Sequence, residues 1–175
     1  MKFITELVDK LDSNKKLSSQ RYVVGFSNGS FLAQRILAEQ PNLFASGAAI
    51  MTGVGEKEGD QLDLSGAIAP LLIVTGAEDG YTNHDIPRAG FRFSSVQTTL
   101  ESWSNQLKVT ESDSSETTNY KQRTYRADNN QTKLIYREYP TKHRWPMWRL
   151  WMFKRDVSPF TEDVWQTLQL LAQER

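Results

Sequence analysis

Three polar side chains, widely separated along the chain, are of the types that nucleophilic catalysis requires: Ser27, Asp79 and His143. A serine hydroxyl is a weak nucleophile until a neighbouring imidazole removes its proton. His143 is the candidate for that base, and for the acid that later protonates the leaving group. The carboxylate of Asp79 would hold the imidazole in the required tautomer and stabilise its charged form. We therefore predict that these three residues are catalytic and lie together in the folded chain.

The candidate nucleophile lies in the sequence G-F-S-N-G, residues 25–29. An apolar run precedes this segment and a helical pattern follows it, which predicts a sharp strand-to-helix turn, the nucleophile elbow. Such a turn strains the serine backbone and pushes the hydroxyl outward, and the flanking glycines avoid collisions with the strand and the helix. The backbone amide of Asn28 is then the candidate donor of an oxyanion hole. The alternative is an ordinary turn in which Ser27 caps the helix.

The candidate acid and the candidate base also have alternatives. Asp79 begins an Asp-Gly pair, a combination that commonly forms turns, and Glu78 and Asp85 are alternative acids. His143 is flanked by basic residues, as expected of a histidine in a solvated surface loop. The chain has two histidines, so His84 is the alternative base.

The segment 142–155 combines basic residues with three tryptophans. Because it begins next to His143, we predict that Trp145 and Trp148 form the wall of a substrate pocket for an acyl or aryl group. The equally weighted alternative is that they pack on the core. Aromatic and basic residues together are also typical of single-stranded nucleic-acid binding, but a formal net charge of zero for the chain disfavours that partner.

Hydrophobic periodicity predicts the elements that must position these residues. Apolar runs predict strands at 21–25, 44–51, 70–75 and 133–139. Helical spacing predicts helices at 2–12, 30–40, 94–107 and 161–172, with Ser94 and Gln97 as a capping box of the third helix and Thr161 as the cap of the last. Polar composition predicts surface loops at 56–65 and 76–93, and a mobile surface segment at 110–119.

Strands that alternate with helices predict an α/β fold with a mostly parallel sheet flanked by helices. Alternating residues in 120–126 and 133–139 predict a β-hairpin before the loop that carries His143. We predict a single domain over residues 1–175, since its length suits one core. In parallel sheets the site lies at the carboxyl ends of the strands. Each of the three candidate residues follows a predicted strand, as a shared site requires.

Composition narrows the classes of function further. The chain has no cysteine, which excludes disulfides, a thiol nucleophile and cysteine-bound metal. No metal-binding or phosphate-binding motif is present in the sequence, so we predict no metal and no cofactor. No stretch approaches the ~18 apolar residues that a membrane-spanning helix needs, and the first residues do not form a signal peptide. We therefore expect no membrane partner and, by default, a cytoplasmic protein.

With these motifs in place, the sequence resembles the esterases related to polyhydroxybutyrate depolymerases and feruloyl esterases, within the α/β-hydrolase superfamily. Residues 27–29 match the S-N-G elbow of that family, and residues 72–79 resemble its strand followed by H-G-x-x-D. Residues 143–146 resemble its catalytic H-x-W-P segment. The resemblance implies cofactor-free hydrolysis of carboxylic esters through an acyl-enzyme. The implied substrates are polyhydroxyalkanoates or feruloyl, aryl and short-chain esters.

The chain departs from this family in two ways. Family members carry a further N-terminal part, which holds more strands and the second oxyanion-hole donor. We therefore expect a truncated α/β-hydrolase fold whose strand at 21–25 needs cover from a homo-oligomer or a missing N-terminal segment. The cysteines often seen in secreted relatives are also absent. The alternative function is a non-catalytic α/β-hydrolase half that acts as a binding or assembly partner.

Overall fold

The structure is a computed structural model of the chain, and it describes residues 1–13, 18, 20–53, 55–57, 62–82, 86–88, 91–146 and 159–174. Within these residues the backbone forms four helices and nine strands. In chain order they are α1 (Lys2–Ser13), β1 (Tyr22–Phe26), α2 (Asn28–Glu39), β2 (Ser46–Ile50), β3 (Gly55–Lys57), β4 (Leu71–Gly76), β5 (Ile86–Arg88), β6 (Phe91–Phe93), α3 (Val96–Gln106), β7 (Val109–Glu116), β8 (Lys121–Ala127), β9 (Thr132–Tyr139) and α4 (Pro159–Gln173).

Six strands form one mixed sheet in the order β1-β2-β4-β9-β8-β7. The first four of these run parallel to one another, whereas β9, β8 and β7 are joined by antiparallel pairings. The sequence prediction of a mostly parallel sheet with a hairpin before His143 is confirmed. Because β1, β2, β4 and β9 point the same way, the segments that follow them meet at one edge of the sheet.

Helices cover both faces of the sheet, and side chains alternate between the two faces along each strand. Every residue of β2 and β4 is buried, as expected for parallel strands covered on both sides. On one face Leu71 and Ile73 pack with Leu37 of α2 and with Leu100 and Trp103 of α3. On the other face the alternate strand residues pack under α4, a cluster that includes Leu72, Val74, Ile135, Phe160, Val164, Leu168 and Leu171.

A buried arginine anchors α4 to the antiparallel part of the sheet. Arg137 of β9 is 7% exposed, and its guanidinium donates to Asp163 at 2.6 Å and Thr167 at 3.0 Å, both on α4. It also donates to Gln122 of β8 at 2.6 Å. Burying the charge is tolerated because these acceptors replace its water contacts. The position of α4 is therefore set by polar bonds as well as by apolar packing.

The predicted mobile segment at 110–119 is wrong, because most of it belongs to strand β7. The residues of β7 are almost all polar and exposed, so the strand carries no hydrophobic periodicity that sequence inspection could detect. Its backbone pairs with β8 along nearly its whole length, from Val109 with Ala127 to Glu116 with Lys121. Pairing with a neighbouring strand, rather than burial of side chains, makes this segment a strand.

The predicted loops at 56–65 and 76–93 also contain strands. Residues 55–57, 86–88 and 91–93 form a small antiparallel sheet in the order β3-β6-β5. These strands have three residues each, too short for an alternating pattern to be recognised.

Two predicted helix caps are displaced. The hydroxyl of Ser95, not of Ser94, accepts a hydrogen bond from the backbone N–H of Thr98 at 3.2 Å, and Gln97 donates to Glu101 instead of completing a capping box. Helix α4 begins at Pro159, two residues before the predicted cap Thr161. Proline suits the first turn of a helix because the N–H it lacks would have no partner there.

The predicted helix at 2–12 is confirmed as α1, which is joined to the rest of the chain by polar contacts. Arg21 donates to Asp12 at 2.8 Å, and Thr5 donates to Gln40 at 3.4 Å. None of the described helices has the length and apolar character that crossing a membrane requires.

Candidate active site

Ser27 lies at the sharp turn between β1 and α2. Its backbone has φ 52° and ψ −119°, a strained conformation for a residue with a side chain. The turn is held by a hydrogen bond from its N–H to the carbonyl of Ile50 at 2.9 Å. A Cβ atom on Gly25 would lie 2.0 Å from the carbonyl oxygen of Gly29, so only glycine lets the first turn of α2 approach β1 this closely.

The hydroxyl of Ser27 does not cap α2. The side chain makes no capping hydrogen bond, and Oγ lies 2.8 Å from Nε2 of His143 instead. The alternative of an ordinary helix-capping serine therefore does not describe this turn. The observed strain and the outward hydroxyl are those that the elbow sequence predicted.

His143 follows β9 and has a partner at each ring nitrogen. Its Nδ1 lies 2.8 Å from Oδ2 of Asp79, while Nε2 faces Ser27. The ring also contacts two aromatic side chains, with centroid distances of 5.7 Å to Phe26 and 5.3 Å to Tyr81. The side chain is 27% exposed, so His143 is not the solvated loop histidine that was the alternative.

Asp79 follows β4, and its side chain is fully buried. Its Oδ1 accepts the backbone N–H of Tyr81 at 2.9 Å, as in the turn that an Asp-Gly pair predicts, while Oδ2 faces His143. One carboxylate thus makes both the turn contact and the contact with the imidazole, and its catalytic role stays a prediction. The alternative acid Glu78 has an exposed side chain, and the alternatives Asp85 and His84 lie outside the described residues.

Backbone hydrogen bonds join the segment that carries Asp79 to the segment that carries His143. The N–H of Ala77 donates to the carbonyl of Tyr139 at 2.8 Å, and the N–H of Glu78 donates to the carbonyl of Thr141 at 3.1 Å. These bonds extend the parallel pairing of β4 with β9 past the ends of the strands. The separation of the carboxylate and the imidazole is therefore set by the backbone of two neighbouring strands.

A half-buried phenol also links β4 and β9. The hydroxyl of Tyr136 lies 2.9 Å from Oγ1 of Thr75, the next-to-last residue of β4. Burial raises the pKa of Tyr136 to about 12, partly offset by the hydrogen bond with Thr75. The phenol therefore remains protonated near neutral pH and supports the strands without adding a charge.

Asn28 is the first residue of α2. The backbone N–H groups in the first turn of a helix have no acceptor within the helix, and the helix dipole favours negative charge at this end. The amide of Asn28 is adjacent to Ser27 in the chain, and Asn28 lines the same cavity. It therefore has the position that was predicted for an oxyanion-hole donor, a role that remains a prediction.

A cavity of ≈ 360 Å³ opens at Ser27 and His143. Besides these residues and Asn28, its described lining consists of Phe31, Met51, Thr52, Gly53, Tyr81, Thr82 and Phe93. None of these lining residues was predicted from the sequence. Three of them, 51–53, directly follow β2, and the rule that sites lie at the carboxyl ends of parallel strands would have found them.

Trp145 is not among the described residues that line this cavity. Its ring packs against Phe26 and Phe160, with centroid distances of 6.0 Å and 5.1 Å, and it contributes to the core under α4. These contacts favour the packing alternative for Trp145. Trp148 lies outside the described residues, so its predicted role as a substrate-binding residue stays a prediction.

The arrangement can transfer a proton along a defined path. If Nδ1 of His143 carries hydrogen and donates to Asp79, then Nε2 is left as an acceptor for the proton of Ser27. No cluster of three or more metal-binding side chains occurs among the described residues.

Comparison with known proteins supports the fold. No model of a known protein family matches the chain, and no curated protein matches it. Among solved structures, the chain is similar to the apoenzyme crystal structure of S-formylglutathione hydrolase (FrmB) from Staphylococcus aureus, with a TM-score of 0.52 and 13% sequence identity. The chain has an α/β-hydrolase-like fold. The match covers 98% of this chain and 59% of that one, so this chain spans about three fifths of the length of its structural neighbour.

Proposed function

We propose that this protein is a serine hydrolase that cleaves carboxylic esters through an acyl-enzyme. The observation that carries the proposal is the continuous path from Ser27 through His143 to Asp79, with distances of 2.8 Å at both steps. The strained backbone of Ser27 at the start of α2 supports the same conclusion, because that turn presents the hydroxyl to a substrate and aims helix amides at the reacting carbonyl.

In the proposed first step, Oγ of Ser27 attacks the ester carbonyl carbon while Nε2 of His143 takes the hydroxyl proton. The carbonyl oxygen becomes negatively charged and is stabilised by the N–H of Asn28 and the dipole of α2. Asp79 holds the ring with Nδ1–H directed toward its carboxylate and stabilises the imidazolium. The imidazolium then protonates the departing alcohol, which leaves an acyl group on Ser27.

In the second step, His143 removes a proton from a water molecule, whose oxygen attacks the acyl carbonyl carbon. The bond from that carbon to Oγ of Ser27 then breaks, the imidazolium returns the proton to Oγ, and the carboxylic acid is released. The partial exposure of His143 leaves a route for that water. The mechanism requires no metal or cofactor.

The lining of the cavity supports an ester with an apolar group. Phe31, Met51 and Phe93 contribute apolar surface, while the hydroxyls of Thr52 and Thr82 donate to the backbone carbonyls of Gly53 and Asp79. Polyhydroxyalkanoate, feruloyl, aryl and short-chain esters all meet this requirement, and we propose this substrate class as a whole. A thioester is a further option, favoured by the name of the structural neighbour.

The second candidate function is a non-catalytic partner with a hydrolase fold. This chain spans about three fifths of the length of its structural neighbour, so turnover has to be measured on this protein and is not carried over from that one. A protein of this kind would keep the fold without turnover, so a measurement of activity separates the two candidates.

The test is hydrolysis of p-nitrophenyl butyrate by the protein and by Ser27→Ala. We expect turnover by the wild type and a loss of about 10⁴-fold or more in the variant, because the nucleophile and its base act as a unit. Folding of the variant is checked by its melting temperature. Turnover that survives in Ser27→Ala would place the chemistry elsewhere, and absence of turnover in folded wild type would favour the non-catalytic partner.

A further inference from the structure

A buried glutamine connects three segments of the chain next to the cavity. Gln34 lies on α2 and is fully buried. Its Nε2 donates to the carbonyl of Gly53 at 2.9 Å, and its Oε1 accepts from the indole Nε1–H of Trp103 on α3 at 2.8 Å. The orientation of the amide follows from chemistry, because an indole N–H can only donate and a carbonyl can only accept.

The segment that Gln34 holds at Gly53 is strained and forms part of the cavity wall. Met51 has φ 56°, an uncommon conformation for a residue with a long side chain. Residues 51–53 follow β2 directly, and all three line the cavity. A strained backbone persists only where its surroundings hold it in place. The N–H of Met51 donates to the carbonyl of Val74 at 2.7 Å, and the bond from Gln34 holds the other end.

Gly53 also packs closely against the segment that leads into α3. A Cβ atom at this position would lie 1.6 Å from the carbonyl oxygen of Ser94, so the two backbones are in direct contact. Two residues farther along, the N–H of Val96 donates to the carbonyl of Thr82 at 2.8 Å. Thr82 is another lining residue. The wall at residues 51–53 and the wall at Thr82 are therefore both attached to the segment that begins α3.

An apolar side chain could not replace Gln34 without cost. It would leave the buried indole N–H of Trp103 without its acceptor and the carbonyl of Gly53 with the hydroxyl of Thr52 as its remaining side-chain donor, and unpaired buried polar groups destabilise the arrangement that contains them. A buried amide is suitable because it offers one donor and one acceptor in fixed directions. Gln34 is thus matched to both partners at once.

We propose that Gln34 is a positioning residue that fixes the cavity wall at residues 51–53 and thereby sets the selectivity of the site for the size of the acyl group. The selectivity part rests on the proposed ester hydrolysis, whereas the positioning part does not. Gln34 makes no contact with the reacting atoms, so its effect acts through the shape of the wall. Loss of its bonds weakens the fit of longer acyl groups and leaves the reactivity of Ser27 toward small esters in place.

The test compares Gln34→Met with the matched control Gln106→Met. Gln106, on α3, also donates its side-chain amide to a backbone carbonyl, that of Ser65 at 3.0 Å, but Ser65, unlike Gly53, is not among the described residues that line the cavity. We expect faster amide hydrogen exchange at residues 51–53 in Gln34→Met and unchanged exchange there in Gln106→Met. The ratio of kcat/KM for p-nitrophenyl hexanoate to that for the acetate is expected to fall at least about fivefold in Gln34→Met, the effect of one lost hydrogen bond.

A second variant, Gln34→Glu, keeps the shape of the side chain. When its carboxyl is protonated it can donate to Gly53 and accept from Trp103, as glutamine does, and when it is ionised it cannot donate. The selectivity ratio of this variant should be near that of wild type at low pH and fall as pH rises, whereas the wild-type ratio stays level. The ratio isolates the fit of the acyl group, because both esters use the same nucleophile and the same base.

Three results would overturn the proposal. The first is unchanged exchange at residues 51–53 in Gln34→Met, which decides the positioning part even if no ester is cleaved. The second is an equal loss of activity toward both esters. The third is a selectivity ratio in Gln34→Glu that stays well below that of wild type at low pH, where the protonated carboxyl can make both bonds; this result also decides the matter if Gln34→Met does not fold. If the wild type cleaves no ester but exchange at residues 51–53 is faster in Gln34→Met, the proposed function and its selectivity are overturned. The positioning role of Gln34 is then retained.

Discussion

The carboxylate of Asp79 is fully buried, and each of its oxygens accepts one hydrogen bond, from the N–H of Tyr81 and from the ring of His143. A buried charge is tolerated only when it is paired and hydrogen-bonded. The bond from Tyr81 fixes the orientation of the carboxylate, because it holds Oδ1 away from the imidazole. The tautomer of His143 therefore depends on the acceptor character of a single atom, Oδ2.

The variant Asp79→Asn tests this dependence. The N–H of Tyr81 requires an acceptor, so the new amide should direct its oxygen toward Tyr81 and its NH₂ group toward His143. The ring must then accept at Nδ1 and carry hydrogen on Nε2, where it cannot remove the proton of Ser27. We expect kcat for p-nitrophenyl butyrate to fall ~10⁴-fold, by analogy with the same change in a serine protease, with little change in melting temperature.

Asp63→Asn is the matched control for Asp79→Asn. Asp63 also accepts a backbone N–H two residues ahead, that of Ser65 at 2.8 Å, but its side chain is exposed. Its replacement should leave kcat within about twofold of wild type, as for most surface substitutions. A fall of less than tenfold in Asp79→Asn, with the protein folded, would contradict the role proposed for Asp79.

The sequence pointed to the three polar side chains whose types have a specific use in catalysis. It did not point to the apolar residues that shape the cavity. Ser27, Asp79 and His143 could be selected because each type has a specific use and each follows a strand. Phe31 and Phe93 are ordinary apolar residues, and their ring contact at a centroid distance of 5.4 Å depends on the folded path of the chain. Types and spacing cannot reveal that contact.

Among the elements, helix α3 connects the core to the cavity. Its Trp103 is fully buried and bonds Gln34, and its first residue bonds Thr82. The start of the helix depends on Ser95, whose hydroxyl accepts the N–H of Thr98. The sequence alone predicted Ser94 as the cap, so replacing Ser95 tests where the helix begins.

We expect Ser95→Ala to lower the free energy of unfolding by about 1 kcal/mol, because it removes the acceptor for an amide in the first turn of α3. For a chain of this length that corresponds to about 2–4 °C in melting temperature, measured by circular dichroism. The matched control is Ser102→Ala in the same helix, where alanine is favoured over serine at an exposed position. An unchanged melting temperature in Ser95→Ala would contradict this cap.

The elements show why parts of the fold were predictable and others were not. Strands β2 and β4 are buried on both faces, and continuous apolar runs of this kind are visible in a sequence. Strand β7 is exposed on both faces, and the short strands of the small sheet offer too few residues for a pattern. In these segments the partner strand determines the structure, and a single sequence does not identify the partner.

At the scale of the whole molecule, the two ends of the main sheet differ in chemistry. The end formed by β7 carries charged residues, including Glu111, Asp113 and Glu116, which discourage pairing with another strand. The end formed by β1 carries no charge and exposes Val24 and Phe26, at 46% and 37%. We therefore retain, as a proposal, the expectation that a second copy or a further segment of polypeptide covers β1.

The proposed nucleophile, base and acid follow three different strands, so they come together only when the whole sheet has formed. The most direct measurement is the reaction of the folded protein with a fluorophosphonate probe, followed by mass spectrometry to locate the modified residue. We predict one adduct, on Ser27, that is absent from Ser27→Ala and from heat-denatured protein, because only an activated serine hydroxyl reacts. An adduct on a different serine, or none while a known esterase in the same tube is modified, would contradict the claim.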